Sequence, residues 1–181
     1  MPQLFKFRHE WDTRAIARRR TPLLVISAVL LCAVGGSVAA AASPHAGSAG
    51  PALIKARLAK KINRNIVVSS KGLTLYMFTA DTGGTSACTD AACMKLWPPL
   101  LTTGAPVAGK GINRTLVGMI QRPDGKQQVT YNKHPLYFFH GGAGYGARDR
   151  LPGQLHGQGL FSAWWVLSPK GVAIHKRVRL P

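Results

Sequence analysis

The chain has 181 residues, enough for one ordinary domain, with 24 lysines and arginines against six aspartates and glutamates, a net charge of +18. Residues 43–181 alone carry 18 basic and four acidic side chains, and so few carboxylates argue against acid–base catalysis by a carboxylate pair. The charge of this region, +14, predicts either an anion-binding face or simply a basic surface kept soluble by self-repulsion.

Residues 1–42 are predicted to be a targeting segment. Six basic residues precede or border the apolar stretch 23–42, which is long enough to span a bilayer but weakens into glycine and alanine in its second half. Two interpretations stay open: a signal peptide cleaved after Ala42, or an uncleaved anchor that associates with the membrane. Both place the rest of the chain outside the cytoplasm, in the periplasm, in the medium or at the membrane surface. Cys32 follows two leucines rather than the small residues of a lipobox, so lipidation is not predicted.

Residues 43–62 are predicted to be a linker, with the folded domain over 63–181. The linker begins with "SPHAGSAGPA", which is polar and unpatterned. It continues into "LIKARLAKKINRN", for which one short basic helix is the expectation.

The pattern from residue 63 onwards predicts an all-β, mainly antiparallel domain of about seven strands. "RPDGK" has proline and glycine where a tight turn needs them, so Ile120 and Val129 are expected on paired antiparallel strands. "SPKG" predicts a similar pairing between Val166 and Ile174. Only "DAACMKLW" suggests a short helical turn. The predicted strands are "NIVVSS", "LTLYMFT", "TLVGMIQ", "QQVTYN", "PLYFFH", "AWWVLS" and "VAIHKRV".

One strand pattern, L-Y-x-F, occurs twice in the chain. Aligning Tyr76 with Tyr137 also places Phe78 on Phe139, so the domain is predicted to contain two L-Y-x-F repeat units. Side chains alternate along a strand, so Tyr76 and Phe78 share one face and their neighbours share the other. Both faces are apolar, which predicts a central strand covered on both sides.

Tryptophans follow both copies of the motif: Trp97 after the first, and Trp164 with Trp165 after the second. We expect them to cover the aromatic pair of their own copy, with each indole N–H bonded inside the core. Stacking of these aromatic side chains on a ligand is the alternative.

The two cysteines of the exported region, Cys88 and Cys93, lie five positions apart, and no cysteine follows them. Outside the reducing cytosol, a disulfide between them is predicted. The alternative is a metal pair with Met77 and Met94 as soft ligands for copper, but no second C-x-x-C or H-x-x-x-H supports it. Neither a metal site nor a cofactor is therefore predicted.

These motifs resemble those of a bacterial secreted-repeat, or predicted lipoprotein, family named for Y-x-(F/W/Y)-x-x-D. "LYMFTAD" fits this motif at Tyr76, Phe78 and Asp81, and the order of "WPPLLT", "QQVTY", "PLYFF" and "WWVLSP" also matches, from about residue 64 to 170. The second copy departs from the motif, because Gly142 stands where the aspartate belongs. The resemblance implies an exported, duplicated domain and no particular activity.

No set of catalytic residues is evident, so the catalytic residues are unknown and a non-enzymatic function is favoured. Asp81 is expected to bond backbone N–H groups of the "DTGG" turn. His134 is too far along the strand from His140 to share an ion with it, whereas a site from His140, His156 and His175 stays open. "HGGAGYG" lacks the G-K-[ST] of a phosphate-binding loop, and no G-x-S-x-G is present.

Three functions follow from these observations. The favoured one is a binding module for anionic envelope polymers or lipid head groups. The alternatives are a redox or metal-handling protein and an enzyme with a histidine-based site. Nucleic acid is not an expected partner, because the compartment is wrong for it. The candidate anion-binding residues lie at both ends of the β region: Lys60, Lys61, Arg64, Lys176, Arg177 and Arg179.

Overall fold

A computed structural model describes residues 50–176 and residue 178. The predicted targeting segment with Cys32, the first part of the predicted linker, and Arg177 and Arg179 lie outside the described residues. The described elements are β1 (Leu53–Ala59), β2 (Arg64–Ser69), β3 (Tyr76–Phe78), α1 (Ala91–Leu96), β4 (Leu101–Thr102), β5 (Val107–Ala108), β6 (Val117–Gln121), β7 (Gln127–Tyr131), β8 (His134–Pro135) and β9 (Trp164–Val166), with 3-10 turns at Arg114–Leu116 and Leu160–Ser162.

The strands form three small sheets, which confirms the all-β, mainly antiparallel prediction. β1 pairs with β2 antiparallel and with β5 in parallel, and β3 pairs with β9. β7 lies between β4 and β6 and also pairs with β8, antiparallel throughout. Within the part of the chain that the structure describes, no helix has the length and apolar character needed to cross a membrane.

Strand β1 corrects the prediction for the second part of the linker. The short helix expected there is wrong, because these seven residues pair with β2, with Ile54 opposite Ser69 and Ala59 opposite Arg64. Ile54 and Ala59 are buried, and so is Ile62 in the turn that follows. Their burial against the rest of the domain outweighs the weak local preference for helix. The folded domain therefore includes residues 53–59 and begins before residue 63.

Both hairpins predicted from turn chemistry are present. β6 and β7 pair with Met119 opposite Val129 and Ile120 opposite Gln128. The "SPKG" turn lets the N–H of Ile174 donate to the carbonyl of Val166 at 2.9 Å.

Two of the predicted strands are reduced to shorter pairings. The "PLYFFH" run forms only the end of β8 and isolated bridges from Tyr137 to Pro99 and to Tyr76. Prolines 98 and 99 lack the N–H groups that a continuous ladder needs. The run after "SPKG" shows a single bridge, between Leu167 and Ala173. The "DAACMKLW" turn is helix α1, whose N-terminus is capped by the Asp90 carboxylate.

Two apolar clusters occupy the two sides of the L-Y-x-F segments. Tyr76 and Phe139 belong to one cluster, whereas Leu75, Met77 and Leu136 belong to the other. All five side chains are at most 4% exposed. The alternation predicted from the sequence, with an apolar cover on both faces, is therefore confirmed.

The two copies of the repeat meet at their tyrosines. The first copy comprises β1 to β4 and the second comprises β6 to β9. The N–H of Tyr76 donates to the carbonyl of Tyr137, and the N–H of Tyr137 donates to that of Tyr76, each at 2.9 Å. This reciprocal pair is an antiparallel bridge that joins the two copies through their backbones.

Each motif segment then pairs with the tryptophan segment of the other copy. β3 pairs with β9, so that Tyr76 lies opposite Val166 of the second copy. Tyr137 bridges Pro99, which follows Trp97 in the first copy. Because the pairings are crossed, neither copy completes its own sheet, and the site residues of both copies are held in one core.

Candidate functional site

The motif aromatics form one stack through the centre of the domain. The Trp97 and Trp164 rings lie 3.8 Å apart between centroids and are parallel within 2°. Phe78 stacks on the outer face of Trp164 at 4.2 Å. Trp97 in turn contacts Tyr76 and Phe139 of different copies. Every ring except Phe78 is at most 3% exposed, which supports core packing over ligand stacking.

Trp165 does not have the position expected for it. It lies in the opposite cluster from the aromatic stack, facing Met77 across the β3–β9 pair. Its Nε1 is buried without a hydrogen-bond partner, contrary to the prediction of a bonded indole, and its ring contacts His175 at 4.6 Å. Of two adjacent tryptophans on a strand, only one can face each side, and Trp164 is the one that faces the stack.

Two carboxylates bond the tyrosines at the centre of the stack, each across the copy boundary. Asp81 accepts a hydrogen bond from the Tyr137 hydroxyl at 3.0 Å and from the Ala87 N–H at 2.8 Å. Asp149 accepts from the Tyr76 hydroxyl at 2.5 Å. We expected Asp81 to bond N–H groups of the "DTGG" turn, and this prediction is wrong. The backbone N–H that Asp81 binds belongs to Ala87, which lies beyond the turn.

Asp149 occupies the place that the motif assigns to the aspartate missing at Gly142. The Asp81 N–H donates to the carbonyl of Phe78, and the Asp149 N–H donates in the same way to that of Phe139. An insertion shifts the second aspartate seven positions along the chain. The insertion folds back on Gly141, where a Cβ would collide with the Gly146 carbonyl, so that glycine is required there. A search for the motif at its fixed spacing misses Asp149. Because residues 43–181 contain only four acidic side chains, testing each of them as the missing motif aspartate would find it.

Burial sets the protonation of these pairs. It raises the pKa of Asp81 to about 6 and raises the pKa of Asp149 above its ordinary value. Burial, followed by the facing carboxylate, also raises the pKa of Tyr76 and of Tyr137. The tyrosines are therefore neutral donors at physiological pH. Asp149 has a further partner, His156, whose Nδ1 lies 2.9 Å from Oδ1 and whose backbone N–H donates to the same oxygen.

The raised pKa of Asp81 predicts that Asp81→Asn changes the pH dependence of stability. An unfolded aspartate has a pKa of 3.8, so between about 4 and 6 the folded protein binds the proton more tightly and wild-type stability gains as pH falls. The variant lacks this gain. Urea unfolding of both proteins at pH 7 and 4.5 should show the wild type improving relative to the variant at the lower pH.

The contributions of other titrating groups are common to both proteins in this comparison. Asp149, with its raised pKa, acts in the same direction as Asp81, and His134 and His140, whose pKa values burial lowers, act in the opposite one. Subtraction removes all three. An unchanged difference in unfolding free energy between the two pH values would show that Asp81 titrates alike in the folded and unfolded chains.

A buried arginine supports the Tyr137–Asp81 pair, and nothing in the sequence pattern singled it out. Arg122 is 3% exposed and donates to Gln128 Oε1 at 2.5 Å, Ser86 Oγ at 2.8 Å and the Cys88 carbonyl at 2.7 Å. Ser86 Oγ lies 2.8 Å from the Tyr137 hydroxyl. The guanidinium also opposes the rise in the pKa of Asp81 caused by burial. Arg122 thus ties the first-copy loop to the second-copy hairpin.

The structure contains the predicted disulfide between Cys88 and Cys93. Both sulfurs are thereby engaged, and the two methionines considered as copper ligands lie apart. Met94 packs against the cluster that holds the aromatic stack and contacts Arg122, whereas Met77 belongs to the opposite cluster. Across residues 50–176, no group of three or more histidine, cysteine or acidic side chains has the geometry of a metal site.

Basic residues predicted at opposite ends of the β region meet at the turn between β1 and β2. Lys60 and Lys61 are exposed in this turn, and Arg64 is exposed at the start of β2. Lys176 Nζ donates to the Ile62 carbonyl at 3.4 Å. We call Lys60, Lys61, Arg64 and Lys176 the turn cluster.

The turn cluster has no acidic partner among the described residues. Gln158 fixes the C-terminal segment beside it by donating to the carbonyls of Ile174 and Lys176, at 2.6 and 3.0 Å. The four acidic side chains of residues 43–181 are all engaged elsewhere: Asp81 with Tyr137, Asp90 at the start of α1, Asp124 beside Lys126, and Asp149 with Tyr76.

Fold and site together define a duplicated all-β domain whose copies are joined by crossed tyrosine–aspartate pairs. Residues 65–101 and 118–168 match a family described as a secreted repeat of unknown function. The chain belongs to this secreted-repeat family and carries two copies of its repeat. No curated protein and no solved structure matches the chain. Family membership and the disulfide together indicate an extracytoplasmic location.

Proposed function

We propose that the exported domain is a non-enzymatic module that binds anionic polymers or lipid head groups of the cell envelope through the turn cluster. The observation that carries this proposal is that Lys176, from the C-terminal segment, joins the three basic residues of the β1–β2 turn, with no carboxylate among them. Like charges held together repel one another, so a polyanion that neutralises them is favoured. An uncleaved N-terminal segment would also keep the domain next to lipid head groups.

The shape of the turn cluster favours a polymer or a surface over a small anion. Its side chains are exposed to water at the β1–β2 turn, at the start of β2 and on the C-terminal segment beside them. Each contact is therefore weak and screened by salt, over about 10 Å at 0.1 M. Affinity then depends on many charges acting together, as an anionic polymer or a membrane surface provides them.

Neutralising the turn cluster should weaken polyanion binding. We expect the variant Lys60→Gln/Lys61→Gln/Arg64→Gln/Lys176→Gln to bind a soluble acidic polysaccharide and anionic vesicles at least about tenfold more weakly than wild type, since each cation near such a surface contributes about 1 kcal/mol. Titration of the full chain at low and high salt measures this loss, which should shrink as salt rises.

A matched control separates the turn cluster from net charge. Lys95→Gln/Lys110→Gln/Arg114→Gln/Lys170→Gln removes the same number of exposed lysines and arginines from other parts of the surface. This control should retain most of the affinity. Equal losses in the two quadruple variants would mean that charge alone attracts the polymer, and salt-insensitive binding would point to a shaped pocket instead.

A further inference from the structure

A cleft of about 290 Å³ lies where the two copies of the repeat meet. Its first-copy side consists of the start of β1 and the tight turn at residues 69–73. Its second-copy side comes from residues 138–140 and from the end of the insertion, at residues 148 and 149. The insertion that displaces the second motif aspartate therefore also supplies part of the cleft.

The interior wall of the cleft is apolar. Leu53 and Leu73 approach it from the first copy's hairpin, and Leu100 and Phe138 line it from the centre of the domain. The volume is near the lower end of the roughly 300–1,000 Å³ typical of small-molecule sites. Such a space suits a short apolar group and not a long acyl chain.

Three basic side chains line the same cleft: Lys71, His140 and Arg148. Lys71 is at the tip of the tight turn, where the N–H of Gly72 donates to the Ser69 carbonyl at 2.8 Å. Burial, followed by the Arg148 charge, lowers the pKa of His140, so the imidazole is neutral at pH 7. Within the described part of the chain, no carboxylate forms an ion pair with Lys71 or Arg148.

The one carboxylate in the lining does not cancel this charge. Asp149 is 4% exposed, and both of its oxygens already accept hydrogen bonds, from Tyr76 on one side and His156 on the other. Its oxygens are therefore engaged in the core, and Asp149 forms no ion pair with Lys71 or Arg148. The cleft opening presents two uncompensated cations, beside a neutral imidazole that can accept or donate a hydrogen bond.

We propose that this cleft binds a phosphate monoester with a short apolar group, the phosphate between Lys71 and Arg148 and the apolar group against Leu73, Leu100 and Phe138. A phosphate dianion matches two fixed cations, whereas a carboxylate neutralises only one, and the arginine fork fits two phosphate oxygens at once. Contact with the apolar wall adds affinity that inorganic phosphate cannot obtain.

This site is separate from the turn cluster. The cleft lies at the beginning of β1 and the end of β2, whereas the turn cluster lies at the opposite end of that hairpin. Six residue steps along β1 correspond to about 20 Å. The two proposals can therefore fail independently.

Titration of the full chain with hexyl phosphate, inorganic phosphate, hexanoate and hexanol tests the proposal. Hexyl phosphate should bind most tightly, by at least about tenfold over each of the others, because it alone satisfies both cations and the apolar wall. Lys71→Gln/Arg148→Gln should reduce its affinity about tenfold or more. Phosphatidate vesicles should not displace hexyl phosphate, because a cleft of about 290 Å³ does not admit a long acyl chain, which identifies a soluble ester as the ligand. Displacement by vesicles from the quadruple turn-cluster variant would overturn the role of the apolar wall.

Matched controls make this result specific to the cleft. Arg150→Gln removes an exposed arginine two residues beyond Arg148 that does not line the cleft, and Lys170→Gln removes a lysine from the "SPKG" turn. This pair of changes and the quadruple turn-cluster variant should both bind hexyl phosphate like wild type. Binding of hexanol or hexanoate as tight as that of hexyl phosphate, or equal losses in the Arg148 and Arg150 variants, would overturn the proposal.

Discussion

Replacing Phe139 by alanine should lower the free energy of unfolding by about 3–5 kcal/mol, the usual cost of truncating a fully buried aromatic residue. Phe139 is 0% exposed and lies 4.6 Å from Trp97 and 6.4 Å from Tyr76, between ring centroids. The backbone of Gly157 closes the other side, since a Cβ at that position would lie 3.0 Å from the phenyl ring. The cavity therefore cannot collapse easily. Urea unfolding followed by tryptophan fluorescence measures the loss.

Two other phenylalanines give matched comparisons. Phe78→Ala should cost less, because Phe78 is only half-buried and stacks on Trp164 alone among the rings. Phe161→Ala should change stability by no more than about 0.5 kcal/mol, because that ring is 61% exposed. If Phe139→Ala has the same midpoint urea concentration of unfolding as wild type, the assignment of the motif aromatics to the core is contradicted.

The local features of the fold were predictable because strand periodicity and turn chemistry are local properties. The alternation around Tyr76 placed this residue on one face and its neighbours Leu75 and Met77 on the other, and the structure puts them in two clusters. "RPDGK" predicted the β6–β7 hairpin for the same reason. Strand β1 was missed, because Lys55 and Arg57 interrupt its apolar residues and only pairing with β2 makes the strand clear.

The contacts that assemble the candidate site depend on which copy each segment joins. A fixed-spacing motif found Asp81, but it could not show that the partner is Tyr137 of the other copy. It also could not find Asp149 beyond an insertion. Likewise, the sequence predicted Lys60 and Lys176 in two clusters, and only the return of the C-terminal segment to the β1–β2 turn joins them. Crossed pairing is a long-range property that no local pattern contains.

The largest polar contribution is expected from Arg122, the residue that sequence reasoning missed. Arg122→Met keeps much of the side-chain volume but leaves Gln128 Oε1, Ser86 Oγ and the Cys88 carbonyl without their charged donor. The acceptors left without a donor should together cost about 3–5 kcal/mol of unfolding free energy, because each unsatisfied buried group costs about 1–3 kcal/mol. Because those acceptors belong to both copies, the whole domain should unfold in one transition at a lower urea concentration. Equilibrium unfolding by circular dichroism measures this.

Arg114→Met and the pKa of Asp81 distinguish the electrostatic role of Arg122 from simple packing. Arg114 is exposed, so its replacement should change stability by no more than about 0.5 kcal/mol. In Arg122→Met the pKa of Asp81 should rise above about 6, since the guanidinium that lowers it is gone, and NMR titration of the Asp81 carboxyl carbon measures the shift. If Arg122→Met is destabilised but the pKa of Asp81 does not change, Arg122 acts only as a hydrogen-bond donor and not through its charge. Stability equal to that of Arg114→Met would show that the buried network contributes nothing net.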